Sequence, residues 1–136
     1  MEILYHLTPA ANLPTILAGG LSPDCSREHA GRARSVYLAA DAGHALAYAD
    51  HHGDGHTAHV LLRVRVCDLD PDVLCPDDVD LPELMDDWAK TSWIVSLMVS
   101  GQCCYGRQIP ADVLEMSVDA GCSWSPLTMG PDLTAF

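Results

Sequence analysis

Nine residues, AHVLLRVRV (58–66), constrain this chain more than any other stretch. Leu62, Val64 and Val66 share one face of an extended segment while Arg63 and Arg65 share the other, because side chains alternate along a strand. Such a half-buried strand needs partners, since isolated strands do not persist in water. ILYHL (3–7), SVYLA (35–39), QCCYG (102–106) and MSV (116–118) supply four short runs of strand formers. Thr8-Pro9 interrupts the first of them.

Helical segments fall between these runs. In ANLPTILAGGL, Asn12 is a candidate N-cap, Pro14 an early helical residue and Gly19-Gly20 a stop. Asp41 can cap a helix from Ala42 to about Asp50, which HHGDGHT then breaks. Residues 80–101 read as two short helical pieces meeting near Thr91, with Gly101 ending the second. Residues 22–34 read as a polar loop, RQIPADVLE as a turn, and the stretch from Ala120 is weakly periodic. The order strand, helix, strand, helix, strand, helix, strand, strand predicts a small α+β domain over residues 1–119. Residues 120–136 form a C-terminal tail packing on it or extending from it.

At 136 residues the chain can enclose one core. It has no run of eighteen apolar residues, and residues 1–20 lack the basic and apolar regions of a signal peptide, so a soluble cytoplasmic protein is expected. The six cysteines show no CxxC spacing, and reduced, mostly buried thiols are expected; Cys103 and Cys104 should point to opposite faces of a strand. Seven Lys and Arg stand against nineteen Asp and Glu, a net charge of −12. Binding a phosphate backbone needs a basic patch, so nucleic acid is disfavoured as a partner. Residues 67–87, CDLDPDVLCPDDVDLPELMDD, concentrate the acids and read as a solvated acidic surface. Their DxDxD spacing is partial, and they lack the turn glycine of an EF-hand loop. His44, His51, His52, His56 and His59 cluster, but apart from His52 and His56 their spacing matches no helix-face metal pair, so no metal site is assigned. GxSxG, HExxH, Walker and GxGxxG motifs are all missing.

The strand ends carry a different pattern. His6 lies in LYHLT, Tyr37 in SVYLAAD, Tyr48 eleven residues on in the following helix, and Gln102 in SGQCCYG. A strand histidine can bond a ribose hydroxyl, and two tyrosines on a strand and the helix packed over it can sandwich a flat heteroaromatic ring. In this order the chain resembles the ADP-ribosyltransferase superfamily, in its diphtheria-toxin and poly-ADP-ribose-polymerase-like His-Tyr-Tyr-Glu branch. The resemblance covers about residues 3–118 and includes AHVLLRVRVCDLDPDVL and GQCCYGRQIPADVLEM. It implies a split β-sheet core with a few short helices, NAD as co-substrate, and transfer of ADP-ribose to a protein or small-molecule acceptor with release of nicotinamide. His6 would hold the adenosine-side ribose with Thr8 assisting, Tyr37 and Tyr48 would stack on nicotinamide, and Arg32 or Arg34 would meet the pyrophosphate.

Gln102 stands where the family carries Glu. Gln keeps the hydrogen bond to the nicotinamide ribose but supplies neither charge nor proton acceptor. Asp86 or Asp87 could supply a carboxylate instead, and Gln108 is the next candidate if the alignment shifts. Small size fits toxins, phage effectors and antibiotic-modifying members, and the acidity fits a basic protein acceptor. The alternative is a catalytically degenerate NAD-binding or acidic interaction protein, an inhibitor or nucleic-acid mimic. The RNA 2′-phosphotransferase branch uses several arginines, and this chain has few.

Overall fold

The AHVLLRVRV segment forms the spine of the fold as strand β3, His59–Arg65. The computed structural model describes residues 2–23, 35–51 and 58–127, with the side chains of residues 48–51 outside that description. β3 pairs along its whole length with β1, Ile3–Pro9, from Ile3↔Arg65 to Pro9↔His59. Thr8-Pro9 therefore continues the first strand rather than interrupting it. Proline is tolerated at a strand end, where its missing N–H costs no ladder bond.

Five more strands complete an antiparallel sheet: β2 Val36–Ala39, β4 Leu74–Pro76, β5 Gln102–Tyr105, β6 Leu114–Ser117 and β7 Ser125–Pro126. The spatial order is β4-β5-β2-β1-β3-β6-β7. The joints are unequal. β1 and β3 share seven ladder pairs, whereas β1 and β2 share one, Tyr5↔Ala39. The sheet is thus two half-sheets, β4-β5-β2 and β1-β3-β6-β7, held at a single crossing.

Alternation sorts the side chains into two apolar clusters, one on each face. On one face Leu4, Val36, Leu38, Val60, Leu62, Val64, Cys103 and Met116 form the main core. Helix α1, Leu13–Gly19, contributes Leu13 and Ile16 to it, and α4, Trp93–Ser100, contributes Leu97. On the other face helix α2, Ala42–His51, sets Ala45 against Leu7, Ala39 and Leu61. The register confirms the sorting, since Leu4↔Val64 and Leu62↔Met116 pair within the first cluster and Leu7↔Leu61 within the second. Helices thus cover both faces of the sheet. None is long and apolar enough to cross a membrane among the described residues.

Local chemistry explains most helix ends and corrects one. Asp41 Oδ1 accepts from the His44 amide at 2.7 Å at the start of α2, as expected of a cap. Asn12 does not cap α1; its side-chain amide donates to Thr8 Oγ1 at 3.3 Å and ties the helix to β1. The 80–101 segment breaks into α3, Leu81–Leu84, a 3-10 turn at Trp88–Lys90, and α4, which opens on Ser92 Oγ accepting from the Val95 amide.

Two other readings change, and residues 120–127 take one of their two expected courses by packing on the domain. The last run of strand formers pairs as Leu114–Ser117, leaving Val118 exposed beyond it. Residues 120–127 complete the sheet through β7, and Trp124 packs against Tyr5 with Arg63 stacked 4.2 Å from its ring. Cys67, Cys75 and Cys122 are exposed free thiols, so the cysteines are not mostly buried; Cys103 and Cys104 do lie on opposite faces.

Gly20 closes α1 at φ +81, and a Cβ there would collide with the Ile109 carbonyl, which accepts from the Leu21 amide. Gly20→Ala should lower unfolding free energy by about 2 kcal/mol or more, from left-handed strain plus the backbone clash. Urea titration against Gly19→Ala, where the nearest atom is the end of the Gln108 side chain at 3.7 Å, checks this.

Candidate functional site

Two sequence-predicted residues, His6 and Tyr37, meet where the half-sheets part. Beyond Tyr5↔Ala39 the strands β1 and β2 no longer pair. The partly buried His6 ring spans that gap, its Nδ1 donating to the Tyr37 carbonyl oxygen at 2.8 Å across 31 residues of sequence. Burial pushes the imidazole below its usual pKa, outweighing the opposing pull of that carbonyl. The ring is therefore neutral at pH 7, and with Nδ1 protonated its Nε2 is an acceptor. Thr8 follows on the same strand, buried, with its hydroxyl accepting from Asn12.

Gln102 opens β5 directly opposite Ala39. Ladder pairs link Gln102, Ala39, Tyr5, Arg63 and Glu115 into one transverse row across five strands. Tyr37, opposite Cys104, has the same facing as Ala39 and Gln102. His6 is thus on the opposite facing and reaches the group only through the gap. Arg32 and Arg34 lie outside the described residues. Tyr48 is in α2, but its side chain lies outside them too, as do Arg27, Cys25, His52 and His56.

The acidic segment, expected to be a solvated surface, supplies the rest. Asp77 is completely buried. Its Oδ1 accepts from the Val79 amide at 2.8 Å, and its Oδ2 accepts from the Asp80 and Leu81 amides at 3.1 Å. Three amide bonds offset the desolvation of the charge and fold the chain into the turn that starts α3. The Asp77 amide donates to Ser96 Oγ at 2.9 Å, and that hydroxyl donates to the Gln102 carbonyl at 2.8 Å. One buried hydroxyl thus joins the acidic turn, α4 and β5.

This turn presents two carboxylates to the predicted site. Asp78 Oδ1 accepts from the Tyr37 hydroxyl at 2.8 Å, and from the Cys104 thiol at 3.8 Å. Burial, followed by the Asp78 bond, raises the Tyr37 phenol far above its usual pKa, and burial does the same to Cys104. Tyr37 is accordingly a fixed hydrogen-bond donor, not a proton-transfer group. Asp80 Oδ2 accepts from Gln102 Nε2 at 3.0 Å, which fixes the amide and leaves Oε1 as its acceptor end. Asp80, rather than Asp86 or Asp87, is therefore the carboxylate that meets Gln102. Gln108 lies instead beside Gly19.

His44 is a further neighbour. Its ring packs on Gly101, where a Cβ would come within 2.7 Å of Nδ1 and Cε1, and Gly101 immediately precedes Gln102 at φ +82. Asp77, Asp78 and Cys104 lie close enough to hold a metal ion. Within this trio Asp77 accepts from three amides, and Asp78 accepts from the Tyr37 hydroxyl and the Cys104 thiol. A shallow hollow lined by Met116, Val118, Ser123, Trp124 and Ser125 lies near the far edge of the sheet, apart from this group. The chain matches no family model, no curated protein and no solved structure.

Two measurements follow from these contacts. Ser96→Ala strands the buried Asp77 amide and removes a donor from the Gln102 carbonyl, so unfolding free energy should drop by about 1–3 kcal/mol by urea titration. His6 makes folding depend on pH. Its folded pKa is depressed, so the stabilisation is complete above the unfolded value near 6.5 and is lost as pH falls towards and through the folded value. The melting temperature should fall between pH 7.5 and 5. His6→Asn, which can still donate to the Tyr37 carbonyl, should flatten that fall.

Proposed function

We propose that the protein is an NAD-dependent mono-ADP-ribosyltransferase that passes ADP-ribose to a protein or small-molecule acceptor and releases nicotinamide. The observation that carries this reading is the His6–Tyr37 bond in the gap between the half-sheets, with Gln102 in register one strand away. His6 and Tyr37, 31 residues apart in sequence, come together through this bond, and Gln102 shares a facing with Tyr37. The single ladder pair between β1 and β2 also fits the split sheet expected of that family.

The polar groups suit a nucleotide bearing two riboses. Neutral His6 offers Nε2 to a ribose hydroxyl, and Gln102 offers Oε1 to another. In the transfer the N-glycosidic bond breaks and its electron pair leaves with nicotinamide. The acceptor nucleophile then bonds to the ribose carbon and gives up its proton to water. Positive charge develops on the ribose as nicotinamide departs, and fixed negative groups lower that barrier. Asp80, 3.0 Å from the Gln102 amide, supplies the charge that glutamine lacks.

Nicotinamide release from NAD, with and without candidate basic protein acceptors, tests the proposal. Asp80→Asn and Gln102→Ala should each slow release by on the order of a hundredfold, the usual loss for one such contact. Tyr37→Ala should weaken NAD binding as well. Release unchanged in both Tyr37→Ala and Gln102→Ala would overturn the site.

The bond that fixes Gln102 to Asp80 also supports a second reading, an NAD-binding protein without efficient transfer. Tight NAD binding with no nicotinamide release selects that reading. No NAD binding leaves an acidic interaction protein.

A further inference from the structure

Helix α4 is apolar on the side that should be polar. At about 100° per residue, Trp93, Ser96, Leu97 and Ser100 fall in one arc, and Ser96 and Leu97 are buried against the sheet. Ile94, Val95, Met98 and Val99 fill an opposite arc of about 140°. All four are exposed, Met98 by 71% and Ile94 by 47%. Leu84 of the adjoining α3 is 58% exposed. The outward face of a surface helix ordinarily carries polar residues. Here it carries none, and contiguous apolar surface of this kind marks an interaction site.

Charge decides what fits. Glu83 of α3 and Asp86 and Asp87 of the segment leading into α4 are all exposed, and their carboxylates make no bond among the described residues. Lys90 is the one cation between residues 80 and 100. A second copy would bring the same acids together on a chain of net charge −12, and an anionic membrane would be repelled. An apolar ridge flanked by Lys and Arg would meet both features at once.

We propose that the α3–α4 face docks a basic amphipathic helix of a partner protein. The partner would lie beside the candidate site, because α4 runs through Gly101 into Gln102. The docking surface is independent of NAD, so it stands or falls separately from the transferase reading.

Fluorescence anisotropy with a labelled Leu/Lys peptide, its leucines along one helical face, tests the proposal. Controls are a scrambled peptide of the same composition, a Leu/Glu peptide, and vesicles of phosphatidylcholine with and without phosphatidylserine. The facially ordered Leu/Lys peptide should bind at least about tenfold more tightly than the scrambled one, the scale of a lost anchor contact. The double variant Ile94→Ser, Met98→Ser should weaken it by a similar factor, with an unchanged circular dichroism spectrum. Asp86→Asn with Asp87→Asn should reduce its salt dependence. That charge pair reads out separately should the apolar variant fail to fold. Equal binding of the scrambled peptide, no response to either double variant, or preference for vesicles would overturn the proposal. So would concentration-dependent dimerisation, by sedimentation, that the Met98 variant abolishes.

Discussion

One buried hydroxyl holds the arrangement together. Ser96 accepts from the Asp77 amide and donates to the Gln102 carbonyl, and both Ser96 and Asp77 are fully shielded from water. In such surroundings a hydrogen bond is electrostatically strong, and an unmade one costs the full desolvation of its partner. The turn at Asp77 therefore has a fixed position relative to β5. Asp78 and Asp80, which follow it, are delivered to Tyr37 and Gln102. α3 itself is a four-residue helix whose one buried side chain is Leu81.

Local patterning was readable where a single physical rule acts alone. Alternation in 58–66 located β3, the helix start after Asp41 had its side-chain cap, and Gly101 ended α4 in the left-handed conformation. Readings failed where tertiary contacts outweigh composition. The reading of 67–87 as a solvated acidic surface holds at Asp68, Asp72, Asp80, Glu83, Asp86 and Asp87 and fails at Asp77, because nothing in the local sequence reveals that three amides will surround it. Asn12 has the right chemistry for a cap, but its amide finds the Thr8 hydroxyl instead.

The candidate site was legible by residue type and chain order, not by geometry. His6, Tyr37 and Gln102 could be picked out, yet the sequence gives no sign that the histidine ring would bond a backbone carbonyl of the next strand. Asp80 was missed for a related reason. Its signal, an Asp three residues after a buried turn aspartate, becomes meaningful only once Ser96 ties that turn to β5. His44 stands in the sequence as one of several clustered histidines, and only the fold sets its ring against Gly101, whose positive φ favours glycine.

The unequal joints of the sheet have a mechanical consequence. A body built from two half-sheets sharing one ladder pair can twist about that pair while nearly all other strand pairing stays intact. The resistance to twisting then comes from whatever bridges the seam, and the His6 ring is its polar bridge. Burial disfavours the protonated form of this ring, so acid weakens the bridge it makes across the seam. The main core spans the same seam, taking Leu4 and Leu62 from one half and Val36, Leu38 and Cys103 from the other.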